Sequence, residues 1–135
     1  MTEGTAKSSK LVGLLVDSEG VDAENFLFAV LDGRLAFEKT SGRILPKPSL
    51  YDLPGRKRLL VLLLARHAAL KLGLASATIW ASPSSLAAEA QMPLKTVGEY
   101  LSRLKSNGLV EKGADGYSLP AWNLLRAGAE LEKAD

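Results

Sequence analysis

Apolar positions along this chain fall into short periodic blocks, divided by glycine, proline and small polar residues. Residues 11–16 (LVGLLV) form an apolar run too short to assign by period alone. Residues 22–33 follow helical spacing: Asp22 can cap, Phe26, Val30 and Leu31 share a face, and Gly33 ends the segment. Leu35 and Phe37 then alternate, and Ile44 resumes after Thr40-Ser41-Gly42. That pattern predicts a hairpin with glycine at its turn. Pro46 and Pro48 mark a connector. The strongest helix is expected at 54–72, opened by Pro54 and closed by Gly73. It is apolar on nearly every face, so it belongs at the centre of a core or between a core and a partner subunit.

Shorter elements follow. Residues 77–80 (ATIW) suggest a strand. Ser82-Pro83 supplies a cap and a first-turn proline for a helix over SPSSLAAEA. Gln91-Met92 makes a tight turn, Pro93 opens a second helix, and Asn107-Gly108 ends it. Two strand-like pieces at 109–113 and 117–120 flank Ala114-Asp115-Gly116. A last helix over 121–133 is expected to pack Trp122, Leu125 and Ala129 along one stripe. The fold class expected is mainly α with a small β component.

The second of the paired helices carries the clearest amphipathic signal. At about 100° per residue, Val97, Tyr100, Leu101 and Leu104 lie within about 60° of one inward direction. Lys95, Glu99, Ser102 and Ser106 lie opposite, and Arg103 stands on a flank.

Composition narrows the chemistry. The 135 residues include no cysteine and one histidine, His67, which excludes disulfides and thiolate metal sites and leaves little for a zinc site or a Ser-His-Asp triad. Glycine-rich phosphate loops, GxSxG and HExxH are absent, so no enzyme, cofactor or metal is expected. No stretch approaches the roughly 20 apolar residues of a membrane span. Residues 1–10 read as a flexible polar leader without a signal core, and a cytoplasmic location is expected. His67, Trp80, Tyr100, Tyr117 and Trp122 are best explained as packing or interface anchors.

Charge is unevenly distributed. Residues 1–33 carry two basic and six acidic side chains, a balance of −4, and residues 73–120 carry four of each. Residues 34–72 carry nine basic and two acidic side chains, a balance of +7, which is the footprint that attracts a polyanion. Arg56, Lys57 and Arg58 stand in the first turn of the long helix, where the dipole disfavours cations by about 0.3–1 kcal/mol each. Those cations need a compensating partner, either a phosphate backbone or plain solvent.

Residues 82–119, SPSSLAAEAQMPLKTVGEYLSRLKSNGLVEKGADGYSL, run helix, three-residue turn, helix, two-stranded ribbon. In this order they resemble the winged helix-turn-helix superfamily, and the hairpin and long helix before them extend the resemblance over about 34–120. The resemblance makes 34–120 a winged helix-turn-helix domain, which charge and apolar pattern flank with an N-terminal acidic arm with a short helix at 1–33 and a C-terminal helix at 121–135 available for dimerisation. The over-apolar helix 54–72, the acidic arm and the Trp122 stripe need surfaces to cover, which leads to an expected homodimer. The resemblance also implies double-stranded DNA as partner, a transcriptional regulator and a recognition helix over 93–107 in the major groove. Lys95, Thr96 and Glu99 would then lie nearest base edges. Ser102, Arg103, Lys105 and Lys112, with Arg56, Lys57 and Arg58, complete the expected contact surface. The alternative is a protein–protein module, which the neutral balance of 73–120 and the acids Glu99, Glu111 and Asp115 favour.

Overall fold

The computed structural model describes residues 21–133. The leader and the apolar run at 11–16 lie outside the described residues, as does the side chain of Asp22 and with it the expected cap. The chain order is α1 (Val21–Leu31), β1 (Leu35–Phe37), β2 (Ile44–Pro46), a 3-10 turn (Pro48–Asp52) and α2 (Gly55–Lys71). Then come α3 (Pro83–Ala90), α4 (Leu94–Ser106), β3 (Glu111–Gly113), β4 (Gly116–Ser118), a second 3-10 turn (Ala121–Asn123) and α5 (Leu124–Glu132). The fold is mainly α with two antiparallel hairpins, as the pattern predicts. In one, Leu35 faces Pro46 and Phe37 faces Ile44; in the other, Glu111 faces Ser118 and Gly113 faces Gly116.

Helix α2 is the axis of the core. From Leu59 to Ala65 every residue is at most 1% exposed, so two turns are enclosed on all sides. The packing around it comes from α1, α3 and α5 of the same chain. Full burial of one leucine contributes about 1.5–3 kcal/mol, so Leu59, Leu60, Leu62, Leu63 and Leu64 together make a large hydrophobic contribution. Leu27 and Leu31 of α1 and Leu124 and Ala127 of α5 join the same core as the central elements. His67 is buried on α2, and its Nε2 donates to the Leu119 carbonyl at 2.5 Å, tying the helix to the segment after β4. Its role is structural, as expected. Among the described residues no helix is long and apolar enough to cross a membrane.

Two sequence expectations need correction. Residues 77–80 form no strand. Ala81 instead makes a single bridge to Tyr117, with both N–H···O bonds at 2.8 Å. The pairing stops there because Ser82 turns away to cap α3, accepting from the Ser85 N–H, and Pro83 has no N–H to extend a ladder. The second correction concerns the chain end. Trp122 and Leu125 are 73% and 71% exposed and Ala129 is exposed, so the expected stripe does not pack. Asn123, Leu124 and Ala127 face inward instead. The Asn123 amide donates to the carbonyls of Gly108 and Leu109 at 3.0 and 2.9 Å. That anchor sets the rotation of α5 and turns Trp122 outward.

Candidate nucleic-acid interface

The paired helices begin with a local stop and start. Ser82 caps α3, and Gln91 ends it in the left-handed region at φ 55°, ψ 53°, a conformation uncommon for a side chain other than glycine, asparagine or aspartate. Pro93 then caps α4, so residues 91–93 form the three-residue turn. Gly55 at the start of α2 closes against this turn. A Cβ there would lie 2.8 Å from the Met92 methyl and 3.1 Å from the Tyr100 ring. The N-terminus of α2 therefore abuts the middle of α4.

Helix α4 behaves as its periodicity predicts. Val97, Leu101 and Leu104 are buried, whereas Lys95, Glu99, Ser102, Arg103, Lys105 and Ser106 are exposed and Thr96 is half-buried. Tyr100 is half-buried and its ring carries the Arg103 guanidinium at 5.7 Å, a cation–π contact. The outward face is thus left open, held in place by three buried anchors.

The ribbon that follows is fixed by glycine. Gly116 has φ +120°, and a Cβ on it would overlap the Ala81 carbonyl. Gly113 lies under the Trp80 ring, whose carbons would be 2.9 Å from an added Cβ. Tyr117 is buried, and Lys112, directly opposite it across the ladder, holds its ammonium 5.9 Å from the ring centre. Glu111, Lys112 and Asp115 are all exposed on this ribbon.

The three cations in the first turn of α2 find partners within the chain. Arg58 donates to the carbonyls of Leu53 at 2.9 Å, Tyr51 at 3.1 Å and Ala90 at 3.2 Å, and its guanidinium lies 5.7 Å over the Tyr51 ring. The Ala90 carbonyl belongs to the negative end of α3, so the dipole that opposes Arg58 in its own helix is offset by a second one. Tyr51 adds a hydrogen bond from its hydroxyl to the Glu89 carbonyl at 3.1 Å. Arg56 pairs with Glu130 at 3.1 Å, and the Lys57 ammonium donates to the Lys133 carbonyl. These oxygens supply the compensation that the sequence leaves to phosphate or solvent.

The expected contact residues therefore occupy four places. Lys95, Thr96, Glu99, Ser102 and Arg103 share α4, and Lys112 lies on the ribbon. Arg56 and Lys57 meet α5, while Arg58 is engaged at the junction of α2 and α3. Sequence reasoning misses Arg126 and Lys133. They lie seven residues apart on α5 and just beyond it, a two-turn spacing that puts both on one side. The signal was available, but the −1 balance of residues 121–135 conceals it. Arg126 donates to the carbonyls of Asn107 and Gly108 at 3.0 and 3.2 Å, closing the C-terminal end of α4. Glu130 is held below the usual carboxylate range, first by its hydrogen bond from Lys133 and then by the charges of Lys133, Arg56 and Arg126, against some desolvation. No family model, curated protein or solved structure matches this chain.

Proposed function

We propose that residues 82–119 are a winged helix-turn-helix and that the protein binds double-stranded DNA as a small transcriptional regulator. The observation that carries this reading is the open outward face of α4, with Lys95, Glu99, Ser102 and Ser106 exposed over the buried Val97, Leu101 and Leu104. Seated in a major groove, that face brings Lys95 to guanine acceptors and Glu99 to a cytosine amino group. Thr96, Ser102, Arg103 and Lys112 then contact the backbone. Arg58 is left out of this surface, because each of its three nitrogens donates to a carbonyl of the protein at the junction of α2 and α3.

Binding to random duplex DNA across a salt series tests the proposal. A log–log slope of about −0.9 per phosphate contact is expected, and Lys95→Ala should weaken a preferred sequence by about 1–3 kcal/mol. Absence of duplex binding at about 50 mM salt would remove the DNA reading. The proposal includes a homodimer through the exposed Trp122 and Leu125, and equilibrium sedimentation that finds only monomer at micromolar concentration would remove that part. One observation favours docking on another protein instead: Glu99, Glu111 and Asp115 are all exposed around the proposed groove-facing surface. Partner association that survives Lys95→Ala and Arg103→Ala, without duplex binding, would support that second reading.

A further inference from the structure

Arg56, Arg103, Arg126 and Lys133 are scattered over 77 positions of sequence, yet all four line one cleft of about 440 Å³. The cleft runs between the first turn of α2, the C-terminal half of α4 and the α5 segment. Leu104 and Leu109 contribute an apolar floor, Asn107 adds an amide, and Glu130 is the one acid among the described lining residues. Glu130 pairs with Arg56 at 3.1 Å and Lys133 at 2.8 Å, so a single carboxylate serves a site with three positive charges in excess. The lowered pKa of Glu130, due first to its hydrogen bond from Lys133 and then to the charges of Lys133, Arg56 and Arg126, agrees with that convergent positive field. Arg126 uses two nitrogens on the carbonyls that end α4, and a guanidinium has five N–H donors. Arg103 is exposed and, among the described residues, its charge lies over the face of the Tyr100 ring, which leaves its planar fork able to turn toward an anion.

We propose that this cleft binds a phosphate oxyanion, with Arg103, Arg126 and Lys133 as its donors and Asn107 at its rim. An excess of like charge gathered above the apolar floor of Leu104 and Leu109 raises the local positive potential. Paired guanidinium forks match phosphate oxygens in a way that a lone ammonium does not. The site lies on the Arg103 and Asn107 flank of α4, beside the outward face and not on it. Two sources supply this chemistry: a backbone phosphate of bound duplex, which rests on the DNA reading above, or a free phosphorylated small molecule, which does not.

The test uses the full chain and the double variant Arg103→Gln/Lys133→Gln, whose backbone amide spectrum first verifies an intact fold. Inorganic phosphate is titrated against the Nε–H signals of Arg103 and Arg126 and the Asn107 amide, with chloride at matched ionic strength as control. Saturable shifts confined to phosphate, weakened at least about tenfold in the double variant, are expected from the loss of two charge-assisted donors. Identical responses to chloride and phosphate, or an unweakened double variant, would overturn the site. A parallel duplex titration separates the sources. A salt slope shallower by about 1.8 in the variant, both cations lost from phosphate, assigns the cleft to backbone phosphate. One shallower by only about 0.9, the loss of the α4 contact of Arg103 alone, assigns it to a free phosphorylated ligand. Phosphate binding that persists where duplex binding is absent rejects the DNA reading and leaves the cleft intact.

Discussion

Arg58→Met isolates the question of whether the basic first turn of α2 serves the fold or a ligand. Methionine keeps most of the stem volume while removing the guanidinium and its three hydrogen bonds to Leu53, Tyr51 and Ala90. Hydrogen bonds from a charged donor are worth about 1.5–3 kcal/mol each when measured singly. They are not additive here, because all three are part-buried and water can reach some of the released carbonyls. A loss of about 2–4 kcal/mol is the expected total, a large share of the roughly 5–15 kcal/mol typical of a domain. Urea unfolding followed by far-ultraviolet circular dichroism measures it, with the m-value held as the check on two-state behaviour. Arg58→Lys keeps the charge but cannot fork to three acceptors, so it should recover less than half of the loss. If Arg58→Met unfolded within about 0.5 kcal/mol of the parent, the range of ordinary surface substitutions, the assignment of Arg58 to the fold would be wrong.

The remaining predictions address the ribbon, the seat of α4 and the pH dependence. Gly116→Ala forces a side chain onto positive φ and into the Ala81 carbonyl, and should lower stability by about 2 kcal/mol or more while separating the ribbon from α3; unchanged protection of the Ala81 and Tyr117 amides from hydrogen exchange would refute this. Leu101→Ala, at a fully buried position under the outward face, should cost about 2–5 kcal/mol, read from the same urea curves. A loss below about 1 kcal/mol would mean that α4 is not seated as described. Glu130 has a lowered pKa, so its contribution is present above its ordinary value of 4.5 and disappears as pH falls through the lowered one. The parent should therefore lose stability in acid more steeply than Glu130→Gln, and parallel stability–pH curves would refute the linkage.

Local physics made much of this protein legible without coordinates. The helix expected at 93–107 is observed at Leu94–Ser106, because an apolar stripe, a proline at one end and Asn107-Gly108 at the other act over a few residues. The same holds for the Ser82 cap and for the hairpin around Gly42, whose φ of +75° suits glycine. The uniform hydrophobicity of 59–65 announced a helix with no solvent face, though not which elements would cover it. Only the tertiary structure decided those covers, the outward turn of Trp122 and the assignment of Arg58. Each depends on a partner far along the chain: the carbonyls of Gly108 and Leu109 for the rotation of α5, and the Ala90 carbonyl at the end of α3 for the guanidinium. A periodic pattern states that a side is apolar or charged, but a hydrogen bond across 14 or 32 positions exists only once packing has brought its two ends together. The cleft of Arg56, Arg103, Arg126 and Lys133 is the largest instance, since charge counted along the chain cannot reveal charge gathered in space.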